Sequence, residues 1–372
     1  MKKTFLFIFI SLFEFFCIFS ETIAKPDYII DDKRIFLDAQ IAFDRQDYGL
    51  ALKLVERAKA ARKQKVKWEV YTLENSLKPE EVKRAGDFIP DILLVLSERQ
   101  DYDALEIFFR YEKLYTMDFF ENSAKKLIAF IKNRSEFPEA DYLSGCVYQL
   151  EGEYSVAEQL FLKAFEFSSI LDVPDEKYDI LYSLADISFT KKNFEKYEEY
   201  LVLIISQDKA FKNNRLIDAM KSTIRSVKSD CMEKFFLMYR TENFRLLNAY
   251  FLLSEYYQEK NEKDRALTTA ALGALTGFSK VYDVVSKRNP EFEYAGLSSL
   301  FIEACKYTDI VEWGIKNNVW KGFNDFAENT FKNECPVFAV KLYTILKEHS
   351  PEEYWRAEAS VRLDVITAAV KR

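Results

Sequence analysis

The sequence predicts an all-α protein, an α-solenoid of antiparallel helix pairs, and three observations carry that expectation. The chain of 372 residues is 49% apolar yet contains only nine Gly and eight Pro. So little punctuation around so large a potential core favours helices over many short strands. In residues 141–166, Gly145, Tyr148, Tyr154, Ala157, Phe161 and Ala164 alternate small and large at helical spacing. Small side chains let two helices approach and rings fill the volume around them. Between the two halves, Glu151-Gly152-Glu153 forms a polar turn whose glycine can take positive φ. Finally, Arg45-Gln46-Asp47-Tyr48 returns as Arg99-Gln100-Asp101-Tyr102, each time between two helical patterns.

Residues 1–24 read as a secretory signal. Met1-Lys2-Lys3 leads into an apolar run from Thr4 to Phe19, followed by Ser20-Glu21-Thr22-Ile23-Ala24. A basic start, a short apolar segment and small residues before a cut are what export signals require. Cleavage is expected near Ala24, with Ser20 a second site and an uncleaved anchor the alternative. Glu14 interrupts the run, which is short for a span. Lipid attachment at Cys17 is disfavoured, because Glu14 and Phe16 stand where a lipobox wants Leu and a small residue. The protein is therefore expected to be exported, periplasmic or associated with the cell envelope. Cys146, Cys231, Cys305 and Cys335 would then meet a compartment that permits disulfides. With no CxxC among them they read as buried free thiols; if they bridge, three pairings remain open.

Two repeat regions follow, 25–205 and 206–372. Ala39, Ala42, Tyr48, Ala51, Val55 and Ala58 give a fair helix pair over 32–64, and a degenerate one spans roughly 87–114. An amphipathic helix over about 119–132 precedes the best pair. Leu181, Leu184, Ala185, Phe194, Leu201 and Ile204 mark the next, and 206–240 is weak. Tyr250, Leu253, Ser254, Tyr257, Ala266, Ala270 and Gly273 restore the pattern over 247–278. After Asn289-Pro290 comes a pair near 292–318 whose register the sequence does not fix. Phe323, Phe326, Ala327, Ala339, Tyr343, Leu346 and Pro351 form the last pair. Residues 352–371 close the chain as a capping helix with Trp355, Ala359, Leu363 and Ile366 on one stripe.

This spacing resembles the tetratricopeptide repeat, a helix-turn-helix unit of about 34 residues. That family places Gly, an aromatic three on, an aromatic six further, then Ala, a large residue and Ala, and residues 145–164 match all six positions. The resemblance spans most of residues 30–371 and implies a right-handed superhelix. It also implies that the first helix of each unit lines a concave groove. The positions it singles out are Tyr142, Cys146, Gln149 and Leu150, then Tyr182, Asp186 and Phe189, and further on Asn248, Phe251, Glu255 and Gln258. Chaperone-type members hold a C-terminal carboxylate with Lys and Asn at such places. Here Tyr, Cys, Asp and Glu stand instead, so that clamp is absent.

Charge excludes further classes. With 53 basic and 60 acidic residues the net charge is −7, against a nucleic-acid partner. The run from Lys53 to Lys67 is basic, with Lys53, Arg57, Lys59, Arg62, Lys63 and Lys65 inside it, and offers a peripheral membrane contact or simply a solvated helix face. The one histidine, His349, precedes Ser350-Pro351 at a helix end, and no HExxH, GxSxG, phosphate loop or dinucleotide fingerprint appears. No catalytic residue, metal site or cofactor is expected. The function the sequence supports is a non-catalytic scaffold or adaptor in a bacterial cell envelope, docking a protein or peptide segment in its groove. The alternative is a periplasmic carrier of a small hydrophobic ligand serving a transport system.

Overall fold

The computed structural model describes residues 25, 31–78, 80, 89–111, 124–241 and 243–370. The expected signal peptide lies outside them. Every regular element among the described residues is helical. They divide into two compact units, one ending at Pro174 and the other beginning at Asp175. None of the described helices is long and apolar enough to cross a membrane.

The first unit holds α1 (Asp32–Asp44), α2 (Tyr48–Ser76), α3 (Ile89–Glu98), α4 (Tyr102–Arg110), α5 (Ala124–Asn133), α6 (Pro138–Leu150) and α7 (Tyr154–Glu166). Consecutive helices pair, α1 with α2, α3 with α4 and α6 with α7, and α2 also carries α5 and α6 on its flanks. The helix pair expected over 32–64 extends further: the basic stretch is the middle of α2, which runs on to Ser76 and buries Trp68 and Leu73. At the α6–α7 contact, a Cβ on Gly145 would stand 2.5 Å from the ring of Phe161, which is fully buried with Ala157 and Ala164. The glycine is there because the ring lies against the α6 backbone.

The second unit holds α8 (Glu176–Thr190), α9 (Phe194–Ile205), α10 (Asn214–Ile224), α11 (Cys231–Leu237), α12 (Leu247–Glu259) and α13 (Lys263–Arg288). It continues with α14 (Leu297–Ala304), α15 (Thr308–Lys316), α16 (Val319–Lys332), α17 (Pro336–His349) and α18 (Glu353–Val370). Neighbours again pair, α8 with α9, α10 with α11, α12 with α13 and α16 with α17, and α12–α13 packs on both α9 and α16. The helices α14 and α15, expected as a pair near 292–318, instead pack mainly on α13 and α17 and on α13 and α16, respectively. The core is aromatic, as the sequence suggested. Phe235 stacks on Phe326 at 5.0 Å, Phe236 meets Phe278 at 4.9 Å, and Phe301 meets Phe323 edge-on at 5.1 Å. The helix α18 lies on α17 and buries Ala359 and Ile366. The division expected between 205 and 206 falls inside this unit. Tyr256 on α12 donates to the Phe194 carbonyl at 3.1 Å and Tyr257 to Glu198 at 3.0 Å, which ties α9 to the later pairs.

One turn recurs through both units. At Gln46, Gln100, Gly152, Lys192, Asn261 and Glu334 the backbone is left-handed, with φ between 56° and 83°. Each time the next N–H reaches back five residues, as Asp47 does to Ala42 at 2.9 Å and Glu153 to Tyr148 at 2.8 Å. The left-handed residue itself bonds three back, as Gln46 does to Phe43 at 2.8 Å. This double closure satisfies the orphan carbonyls of the first helix and reverses the chain. Asp47, Asp101 and Asn193 then cap the second helix by accepting the N–H three residues on.

Candidate functional site

The α8 helix sets its inner face against the core with Tyr178, Leu181, Leu184, Ala185 and Ser188. Tyr182, Asp186 and Phe189, at i, i+4 and i+7, therefore fall on another face. Asp186 is exposed and Phe189 is 51% exposed. The hydroxyl of Tyr182 donates to the Arg245 carbonyl at 2.6 Å and accepts from the Ala249 N–H at 3.0 Å. The start of α12 has no side-chain cap of its own, so this tyrosine satisfies an N–H of its first turn and pins α12 beside α8.

Between α8 and α12 lies a groove of about 480 Å³ lined by Tyr182, Asp186, Phe189, Asn248 and Glu255. Five of the eleven positions singled out as lining a groove thus share one concavity. Tyr197, Leu252, Tyr256 and Glu259 complete it. Its lining holds three carboxylates, on Asp186, Glu255 and Glu259, and no cationic side chain. Their field is felt by Tyr197, whose phenol is pushed up to about 12 by burial first and then by Glu255 and Glu259. Glu255 is also ion-paired with Lys321, which bridges to Asp325 at 2.6 Å.

Phe251 departs from the expectation. It is 6% exposed and inserts between two glycines, its ring 2.8 Å from where a Cβ on Gly273 would stand and in closer contact with Gly322. It is a core knob, not a groove residue. The groove-facing stripe of α12 runs 248, 252, 255, 259, so a sequence reading that stepped 248, 251, 255, 258 drifted toward the buried flank. The i, i+4, i+7, i+11 rhythm of Asn248, Leu252, Glu255 and Glu259 was the available signal.

Tyr142 and Gln149 lie on α6 in the first unit, both half-buried, with the Tyr142 ring 5.4 Å from Phe161. Within the basic run, Lys59 pairs with Asp141 at 2.9 Å, Arg62 with Asp32 at 2.7 Å and Lys65 with Asp32 at 3.0 Å. Lys53, Arg57, Lys63 and Lys67 remain exposed. All four cysteines outside the expected signal are free thiols, but only Cys231 and Cys335 are buried; Cys146 is half-buried and Cys305 exposed. Among the described residues no group of three His, Cys, Asp or Glu is placed to hold a metal ion.

Fold and groove together define an all-α, solenoid-type protein with an open, acid-lined aromatic cleft. The chain belongs to one family with an uncharacterized protein of Treponema pallidum (strain Nichols), to which it is 30% identical over 331 residues, 88% of each chain. It is also similar to an uncharacterized protein of Borreliella burgdorferi, at 23% identity over 215 residues, 52% of this chain and 66% of the other. No family model matches the chain.

Proposed function

We propose that the protein is an exported scaffold of tetratricopeptide type, which docks a basic polypeptide segment with apolar anchors in the α8–α12 groove. The observation that carries the reading is the lining itself. Its lining sets three carboxylates and no cation beside Tyr182, Phe189, Tyr197 and Tyr256, with Lys321 reaching Glu255 and Lys260 reaching the Tyr256 ring from outside the lining. Aromatic rings offer large contact area at small entropic cost, and carboxylates select Lys or Arg between the anchors. The rings are held before a partner arrives, Phe189 against Tyr197 at 5.2 Å and Tyr197 against Tyr256 at 5.6 Å, which lowers the cost of ordering them.

The test is a set of fluorescent peptides, equal in length and aromatic content, whose net charge runs from negative to positive. Affinity should rise with positive charge, weaken with salt, and fall at least about ten-fold in the Asp186→Lys/Glu259→Lys variant. Both residues are exposed, so the fold is expected to survive, as circular dichroism will check. Equal binding of acidic and basic peptides would sink the reading.

A further inference from the structure

The first unit contains a second concavity, of about 590 Å³. It is walled by the first turn of α1, the middle of α2, the end of α4, α5 and the segment 169–174. Five cations line it: Lys33, Arg62, Lys65, Arg110 and Arg134. Three carboxylates line it too, on Asp32, Glu69 and Asp172. With all of them ionised, an excess of two positive charges faces the cavity, in a chain whose net charge is −7.

The cations are positioned in advance. Asp32, itself 2% exposed, holds Arg62 and Lys65. Asp172 bridges Lys33 and Arg134, each at 3.0 Å, and Glu69 holds Arg110. A guanidinium carries five N–H donors in a planar fork. Arg62 directs its Nε to Asp32 and sets one terminal nitrogen 3.9 Å from Glu139, and Arg134 gives one terminal nitrogen to Asp172, so each guanidinium keeps further N–H donors. Arg62 is further fixed by lying over the Phe137 ring at 3.2 Å. Between the charged groups the wall is apolar, made by Val66, Phe130, Ile170, Leu171 and Pro174. The volume falls within the roughly 300–1,000 Å³ of small-molecule sites, which pair apolar walls with a few placed polar groups.

We propose that this cavity binds a small organic anion, a carboxylate or phosphate head carrying a short apolar body. The head sits against Arg62 and Arg134, where bidentate hydrogen bonding to a planar or tetrahedral oxyanion is available. The body lies along Phe130 and Ile170. The site belongs to the first unit and owes nothing to the groove of the second.

The full chain is titrated by calorimetry and native mass spectrometry with octanoate, octyl phosphate, inorganic phosphate and octanol. The expected result is one equivalent of octanoate or octyl phosphate bound per chain, the tighter of the two identifying the head. Octanol should not bind, and inorganic phosphate should bind at least ten-fold more weakly than octyl phosphate. Lys33→Gln/Arg134→Gln should cut affinity at least ten-fold while leaving the circular dichroism unchanged, and Asp186→Lys/Glu259→Lys should leave it intact. Lys33 is 56% exposed at its side chain, so the rim variant tests charge rather than folding. The proposal is overturned if neither amphiphile binds the wild-type chain, if octanol or inorganic phosphate binds as well as they do, or if the rim variant binds unchanged.

Discussion

At the scale of single residues, Asp32 is the most consequential charge in the first unit. Burial raises its pKa, but the hydrogen bond and charge of Arg62, followed by those of Lys65, outweigh burial and hold it at about 2, below the usual 3.8. A carboxyl depressed in the folded state contributes stability that is complete above 3.8 and is lost as pH falls from there through about 2. That contribution is on the order of 2 kcal/mol. Urea titrations between pH 5 and 2 should therefore show stability falling in the wild type, with a shallower fall in Asp32→Asn. The variant should also start lower at pH 7, because Arg62 is then buried with only Glu139, 3.9 Å away, as counter-charge. The sequence flagged Arg62 only as one member of a basic run. The partner stands 30 positions away, across the α1–α2 pair, and charge spacing along one helix carries no trace of it.

At the scale of elements, helix packing was legible and turn chemistry only partly so. Gly145, Ala157 and Ala164 announced the α6–α7 contact because a close approach admits few residue types. The recurrence of Arg45-Gln46-Asp47-Tyr48 as Arg99-Gln100-Asp101-Tyr102 located two reversals for the same reason: the third residue must cap. Yet only one of the six left-handed turn positions is glycine. The others are Gln, Gln, Lys, Asn and Glu, held by closure of the helix end rather than by residue preference, so glycine counting finds one turn in six. Energies should follow. Gly152→Ala is expected to cost about 1 kcal/mol and Gln100→Gly to gain about 0.5–1 kcal/mol, both read as shifts in the urea midpoint. Opposite signs would show that these turns are set by something other than backbone sterics. The short helices α10, α11, α14 and α15 were not registered because helices of seven to eleven residues carry too few turns for a periodic pattern to stand out.

At the scale of the whole molecule, the boundary between compact units can be tested by cutting the chain. Residues 175–372 should give a helical spectrum and one cooperative melt, since α8 and α9 are kept with the helices they touch. Residues 206–372 should melt lower, having lost the Phe194 and Glu198 partners of Tyr256 and Tyr257. If the shorter fragment is as stable as the longer one, the α9–α12 bonds contribute nothing. Five of the eleven positions singled out fall in one concavity because the first helix of a pair repeats its outward face. Phe251 does not, since the step from Asn248 was read as i+3 where the groove face runs i+4 to Leu252. The notch that Phe251 fills has a further consequence for descent. Phe251 fits because Gly273 and Gly322, on two other helices, both lack a side chain. Three positions far apart in sequence are thereby inherited as one unit: a lineage that enlarges 273 or 322 must shrink 251, and in aligned relatives the three columns should change together or not at all.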